Sequence, residues 1–179
     1  STPKPSSAAS DVYKRQASDM AQVEAGFSPA AAALMVSVLS LFNAGGRASA
    51  GILSDKLGRI GTLSLVFPIS VAALCALFFF GQDSMAVFAV SIALVGACFG
   101  ALMGIFPGFT ADEFGQRNNT VNYGILFFGF ALSGMLGPQV ASWVMSGTGS
   151  YRSAFLIAAV VALAGFALTF LHRRLAARS

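Results

Sequence analysis

The chain has 179 residues, 56% hydrophobic and 10% charged, with a mean hydropathy of +0.74. Soluble domains carry roughly a quarter charged residues, so this composition excludes an ordinary soluble domain and points to a protein whose solvent is the lipid bilayer. The net charge of +4 is no nucleic-acid footprint, because Lys and Arg fall in short clusters between apolar runs rather than along one face, and no nucleic-acid partner is expected.

Residues 1–16, STPKPSSAASDVYKRQ, are polar and Pro/Ser-rich and lack the apolar stretch of a signal peptide. They read as a disordered leader and resemble the translated adaptor scars at the ends of metagenomic gene fragments. Native sequence is then expected from Ala17, with 17–28 an extracytoplasmic segment.

A helix crossing about 30 Å of hydrocarbon at 1.5 Å per residue needs about 20 mostly apolar residues. Five runs qualify, over 29–53, 60–80, 85–109, 120–145 and 153–171, followed by a tail at 172–179. The fold class is therefore all-α, a multi-pass transmembrane bundle. Ser28 before Pro29 is an N-cap and first-turn signal, and Ser153 is expected to cap the last span in the same way. Cytoplasmic loops carry the excess of Lys and Arg. Lys56, Arg59, Arg117, Arg173, Arg174 and Arg178 collect on one side, against Arg152 beside Asp19, Glu24 and Asp83 on the other. The C-terminus is thus expected in the cytoplasm, with Trp143 and Tyr151 near the outer interface. Cys75 and Cys98 fall in different apolar runs and read as small packing or membrane-facing residues.

In the first span, steps of three and four place Ser37, Ser40, Asn43, Arg47, Gly51 and Ser54 on one polar stripe. Arg47 precedes Asp55 by about 12 Å of helix, too deep for a loop charge. A guanidinium at that depth costs a few kcal/mol, and such residues mark a substrate path, a buried pair, or a side chain that snorkels to the interface. The planar fork suits bidentate contact with a carboxylate, which favours anion binding, with Asn43 and Ser40 beside it. The other four spans contain no Lys, Arg, His, Asp or Glu.

Between the first two spans, Gly51, Asp55, Lys56, Gly58 and Arg59 are compressed into what reads as a tight turn with closely approaching glycines. Taken alone it is also consistent with a solvated positive-inside loop. The third span carries Gly96, Gly100, Gly104 and Gly108 at a four-residue spacing, a flat groove for a neighbouring helix. Gly134, Gly137 and Pro138 in the fourth span read as packing or as a kink. In the connecting loop, Asp112 is expected to pair with Arg117 or to cap the next helix around Asn122. His172 reads as a solvated interface residue.

The pattern G-x-L-S-D-K-x-G-R at 51–59 resembles the signature loop of the major facilitator superfamily. Leu41 to Arg47, Phe106 to Gly115 and Asn122-Tyr123-Gly124 resemble its oxalate/formate antiporter branch and monocarboxylate-transporting relatives. The resemblance covers about residues 26–172. It implies that the five spans are helices eight to twelve of twelve, that an N-terminal half is missing, and that transport proceeds by alternating access around a central site, without metal or cofactor. It makes Arg47 the group facing a small carboxylate of the formate, lactate, pyruvate or oxalate class, and Asp55 and Arg59 parts of a charge latch. Oxalate-type members are expected to place a second cation in the eleventh helix. Here 120–145 has none, which favours a monocarboxylate. The expected location is the bacterial inner membrane. An enzyme is not expected, since no span holds an acid or a nucleophile with its base. The alternatives are a non-transporting receptor or scaffold of the same fold and, after it, a channel.

Overall fold

A computed structural model describes residue 22 and residues 28–176. The leader, most of the 17–28 segment, Asp19, Glu24 and Arg178 lie outside the described residues. Five helices follow one another: α1 (Pro29–Leu57), α2 (Arg59–Phe80), α3 (Met85–Phe114), α4 (Asn119–Thr148) and α5 (Arg152–Ala176). All five are long and apolar enough to cross a membrane.

The caps explain where they begin and end. Ser28 Oγ accepts from the Ala31 N–H with Pro29 in the first turn, and Ser84 Oγ accepts from Val87 N–H at the start of α3. Ser153 is not a cap. The α5 helix starts one residue earlier, and the Arg152 N–H donates to Ser150 Oγ. The helices also outrun the apolar stretches, ending at Leu57, Phe114, Thr148 and Ala176 rather than at 53, 109, 145 and 171. Hydropathy marks the hydrocarbon edge, whereas the backbone ladder continues through charged residues that are adequate helix formers. At three of these ends it stops where glycine turns to positive φ, at Gly58 (75°), Gly115 (81°) and Gly149 (71°), a conformation that side chains with a Cβ resist.

The most extensive helix contact is α1 along α3, followed by α2 against α5 and α3. Two apolar clusters hold these four together. One joins Ala32, Leu74, Leu77, Phe88, Phe155 and Ala159, with Tyr151 and Cys75 packed on it; the other joins Ala50, Leu63, Val66, Cys98, Ala101 and Ile105. Gly165 of α5 lies against the Phe67 ring of α2, where a Cβ would come within 2.6 Å of a ring carbon. The α4 helix stands apart, touching α3 and α5 sparingly, and Ala141 is its only buried residue.

Candidate functional site

The glycine row of α3 sets the geometry of the site. A Cβ on Gly100 would overlap the Asn43 carbonyl oxygen, one on Gly104 would lie 3.0 Å from the Arg47 carbonyl oxygen, and one on Gly96 would lie 2.7 Å from Leu39. From the other side, a Cβ on Gly46 would overlap the Ala97 carbonyl. The two backbones therefore touch with no side chains between them, which fixes the position of α1 along the stretch carrying Asn43 and Arg47. Gly46 is buried in this contact, and its role was not read from the sequence. A Cβ on Gly51 would meet no atom of another helix within 4 Å, so close approach is a property of Gly46 rather than of Gly51.

Arg47 sits about 15 Å from the Leu57 end of α1, with its backbone on Gly104 and its side chain exposed. It makes no hydrogen bond or ion pair with another described residue. Ser37 and Ser40 are exposed and donate one turn back, to Ala33 O and Val36 O, while Asn43 is half-buried at the α3 contact. Helical phase at about 100° per residue puts Ser40 and Arg47 on the α4 side of the α1–α3 pair. On that side, Phe99 of α3 stacks on Phe130 (5.7 Å between centroids), Phe130 on Phe127 (5.2 Å) and Phe127 on Tyr123 (5.7 Å). This aromatic run was missed from the sequence. Its i, i+3 and i, i+4 spacing over 123, 127 and 130 was the available signal.

The second constellation lies where α1 ends and α2 begins. The expected tight turn over 51–59 is not a loop: α1 continues through Asp55 and Lys56 to Leu57, and Gly58 alone separates it from α2. Gly58 makes no close approach and serves instead as the positive-φ hinge between the helices. Arg59, the first residue of α2, points into the junction. Its guanidinium donates to the buried Ser54 Oγ and, through Nε, to Asp112 Oδ2 at 3.3 Å, with Asp55 Oδ1 at 4.0 Å. It lies over Gly108, where a Cβ would come within 2.7 Å of Cζ. Gly108 thus makes room for a side chain rather than for the α1 backbone. Asp112 belongs to the last turn of α3, not to a loop, and its partner is Arg59, not Arg117. Arg117 is exposed in the 115–118 link, and Lys56 is exposed at the end of α1.

The start of α4 is tied to α3 by Asn119 rather than Asn122, which lies one turn inside the helix. Buried Thr110 donates to Asn119 Oδ1 at 2.8 Å, and Asn119 Nδ2 donates to Pro107 O at 3.4 Å. A Cβ on Gly134 or Gly137, read as packing positions or as a kink, would meet no other described helix, and Pro138 lies inside α4. Among the described residues no group of three His, Cys, Asp or Glu is placed to hold a metal.

The family model of the Major Facilitator Superfamily matches residues 17–179. The chain belongs to the Major Facilitator Superfamily. It is 37% identical over 116 residues to the uncharacterized MFS-type transporter YhjX of Escherichia coli (strain K12), covering 65% of this chain and 29% of that protein. It is 31% identical over 141 residues to the oxalate:formate antiporter of Oxalobacter formigenes, covering 78% and 34%. Against monocarboxylate transporter 12 of Xenopus laevis the identity is 27% over 147 residues, covering 81% and 31%. The chain thus spans about a third of the length of these superfamily relatives. It is an integral membrane protein of that family, with five long apolar helices among the described residues.

Proposed function

We propose that the chain is the C-terminal part of a secondary transporter that carries small carboxylate anions by alternating access. The observation that carries the reading is Arg47: a guanidinium in the middle of a membrane-crossing helix, exposed and without an ion-pair partner among the described residues. Such a charge is costly in hydrocarbon, so it faces an aqueous path or meets an anion. The relatives named for oxalate, formate and monocarboxylates supply the anion class. Asn43 and Ser40 flank the guanidinium on the same stripe, and the aromatic run from Phe99 to Tyr123 walls the path.

The electrostatics also favour exchange. An empty site leaves an unpaired guanidinium to be desolvated when the path closes, whereas a bound carboxylate neutralises it and makes bidentate hydrogen bonds. The loaded carrier therefore reorients more readily than the empty one. With one visible cation, monocarboxylates fit better than dicarboxylates. The Arg59, Asp112, Asp55, Ser54 and Gly108 cluster acts as a latch on the cytoplasmic gate, with the basic end and the C-terminus in the cytoplasm of a bacterial inner membrane. The remainder of the parent transporter covers the bare side of α4 and completes the site.

In the parent protein, Arg47→Ala is expected to lower carboxylate uptake by at least a hundredfold with normal abundance in the membrane. Arg47→Lys should also be strongly impaired, because an ammonium lacks the planar fork. Wild-type uptake in Arg47→Ala would overturn the substrate contact. A parent protein that binds carboxylate but shows no saturable, trans-stimulated flux would favour the non-transporting receptor instead.

A further inference from the structure

At the basic end of the bundle, two adjacent acids on the last turn of α3 reach in different directions. Asp112 is held by Arg59, whereas Glu113 faces α5, where its Oε2 lies 3.4 Å from Nε2 of His172. The imidazole also stands edge-to-face with Phe109, 6.0 Å between centroids, and both Glu113 and His172 are little more than one-third exposed. His172 was expected to be a solvated interface residue; the structure instead makes it the side-chain bridge between the ends of α3 and α5.

These two bridges differ chemically. The guanidinium of Arg59 is permanently charged, so its hold on Asp112 does not change over the physiological range. Histidine changes charge between about pH 5 and 8. We propose that Glu113 and His172 form a proton-operated clasp that fastens the cytoplasmic end of α5 to α3 in acid and slackens as pH rises. Its bearing on flux rests on the transport reading above, but its existence does not.

Three features of the site complement a cation. Glu113 offers an ionised carboxylate, Phe109 offers an aromatic ring, and the C-terminal end of α5 favours positive charge. Two features oppose it. Nδ1 is buried without a partner, so the second N–H of the imidazolium finds no acceptor among the described residues, and Arg173 and Arg174 lie next in sequence. The Arg174 guanidinium is turned onto Phe170, 4.4 Å from its centroid. The other charges nearby are accounted for. Asp112 is engaged by Arg59, Asp55 stands 4.0 Å from the same guanidinium, Arg117 is exposed in the link, and α4 carries no Lys, Arg, His, Asp or Glu. Because Nε2 stands 3.4 Å from the carboxylate and Nδ1 has no partner among the described residues, the clasp is a graded device, and its occupancy should change several-fold rather than all-or-none.

The sign follows from which protonation state gains. Attraction to Glu113 belongs to the protonated imidazole, so the clasp is present in acid and lost as pH rises. The test uses the full-length parent in nanodiscs, with Cys75 and Cys98 replaced by Ser and spin labels on Gln116→Cys and Leu175→Cys. The expected distance distribution is narrow at pH 5.5 and broad at pH 8.5. His172→Gln, which keeps a donor but cannot be charged, is expected to be broad at both pH values, and His172→Arg narrow at both. Glu113→Gln should abolish the dependence. A wild-type distribution that does not change with pH, or a pH response that survives in His172→Gln, would overturn the clasp. The measurement needs neither substrate nor flux, so a failure of the carboxylate reading leaves it interpretable. Where transport is present, exchange at an internal pH of 5.5 is expected to be several-fold slower than at 8.5 in wild type and level in His172→Gln.

Discussion

Helices α3 and α4 are each 30 residues long, apolar, glycine-rich and interrupted by one proline, yet they occupy opposite situations. Gly96, Gly100 and Gly104 of α3 lie on the backbone or side chains of α1, whereas Gly124, Gly129, Gly134 and Gly137 of α4 face open space. Composition alone does not separate these cases. What separates them is the partner: α1 carries Gly46 opposite Ala97, so small residues meet small residues and the backbones close. No helix among α1, α2, α3 and α5 presents a matching surface to the α4 glycines. The same residue type is a steric requirement in one helix and a permissive position in the other.

The largest expected effect tests that contrast directly. Gly100→Leu forces a side chain into the Asn43 carbonyl, and two helix backbones must separate, beyond the roughly 1–3 kcal/mol typical of an overpacked core. In the parent protein this should cost more than about 3 kcal/mol and remove most folded protein from the membrane, as judged by abundance and by thermal melting in detergent. Gly129→Ala should instead be neutral or stabilising by up to about 1 kcal/mol, because alanine is the better helix former where there is room. Equal losses from both substitutions would mean that α4 is packed as tightly as α3 in the full-length protein.

A smaller effect probes how α4 is attached. Asn119 links the start of α4 to α3 through Thr110 and the Pro107 carbonyl. The Thr110 hydroxyl also lies within donating reach of Phe106 O and Pro107 O, so in Asn119→Ala its single proton turns to one of them and no buried hydroxyl is left unsatisfied. The expected cost is therefore about 1–2 kcal/mol, the worth of the two bonds themselves. Faster hydrogen exchange should appear in the first turns of α4 and not in α3. Uniform exchange across both helices would show that the tether is not what holds α4.

Much of the architecture was legible in the sequence, because a bilayer imposes both length and polarity on each crossing element. Five apolar runs, the Ser28–Pro29 start and the superfamily signature each followed from local pattern. The helix ends were less legible, since hydropathy reports the edge of the hydrocarbon and not the end of the hydrogen-bond ladder, and α1 and α3 extend past it by a full turn to place Asp55 and Asp112 on helices. Pairings between distant segments were least legible. Nothing local to Asp112 distinguishes Arg117, five residues away in sequence, from Arg59, which the fold brings within 3.3 Å. Likewise, nothing local to His172 announces Glu113. Arg47 stood out early because a charge deep in a span is informative by itself, whereas its neighbours on α3 and α4 required the helix phases.

The smallest effect separates the two acids at Arg59. The signature loop drew attention to Asp55, but its carboxylate is 77% exposed and 4.0 Å from the guanidinium, while Asp112 is 56% exposed and 3.3 Å away. Exposed pairs of this kind are worth about 0.2–1 kcal/mol, and the upper end belongs to the closer, better-covered partner. Asp112→Asn is therefore expected to shift the latch equilibrium by up to about fivefold, seen as a changed exchange rate with substrate affinity preserved. Asp55→Asn should change it by less than about twofold. The reverse order would place the latch within the α1–α2 junction and leave α3 out of it. The expected order makes the end of α3 the shared anchor, with Asp112 held to α2 by the permanent charge of Arg59 one residue before Glu113 faces His172 of α5.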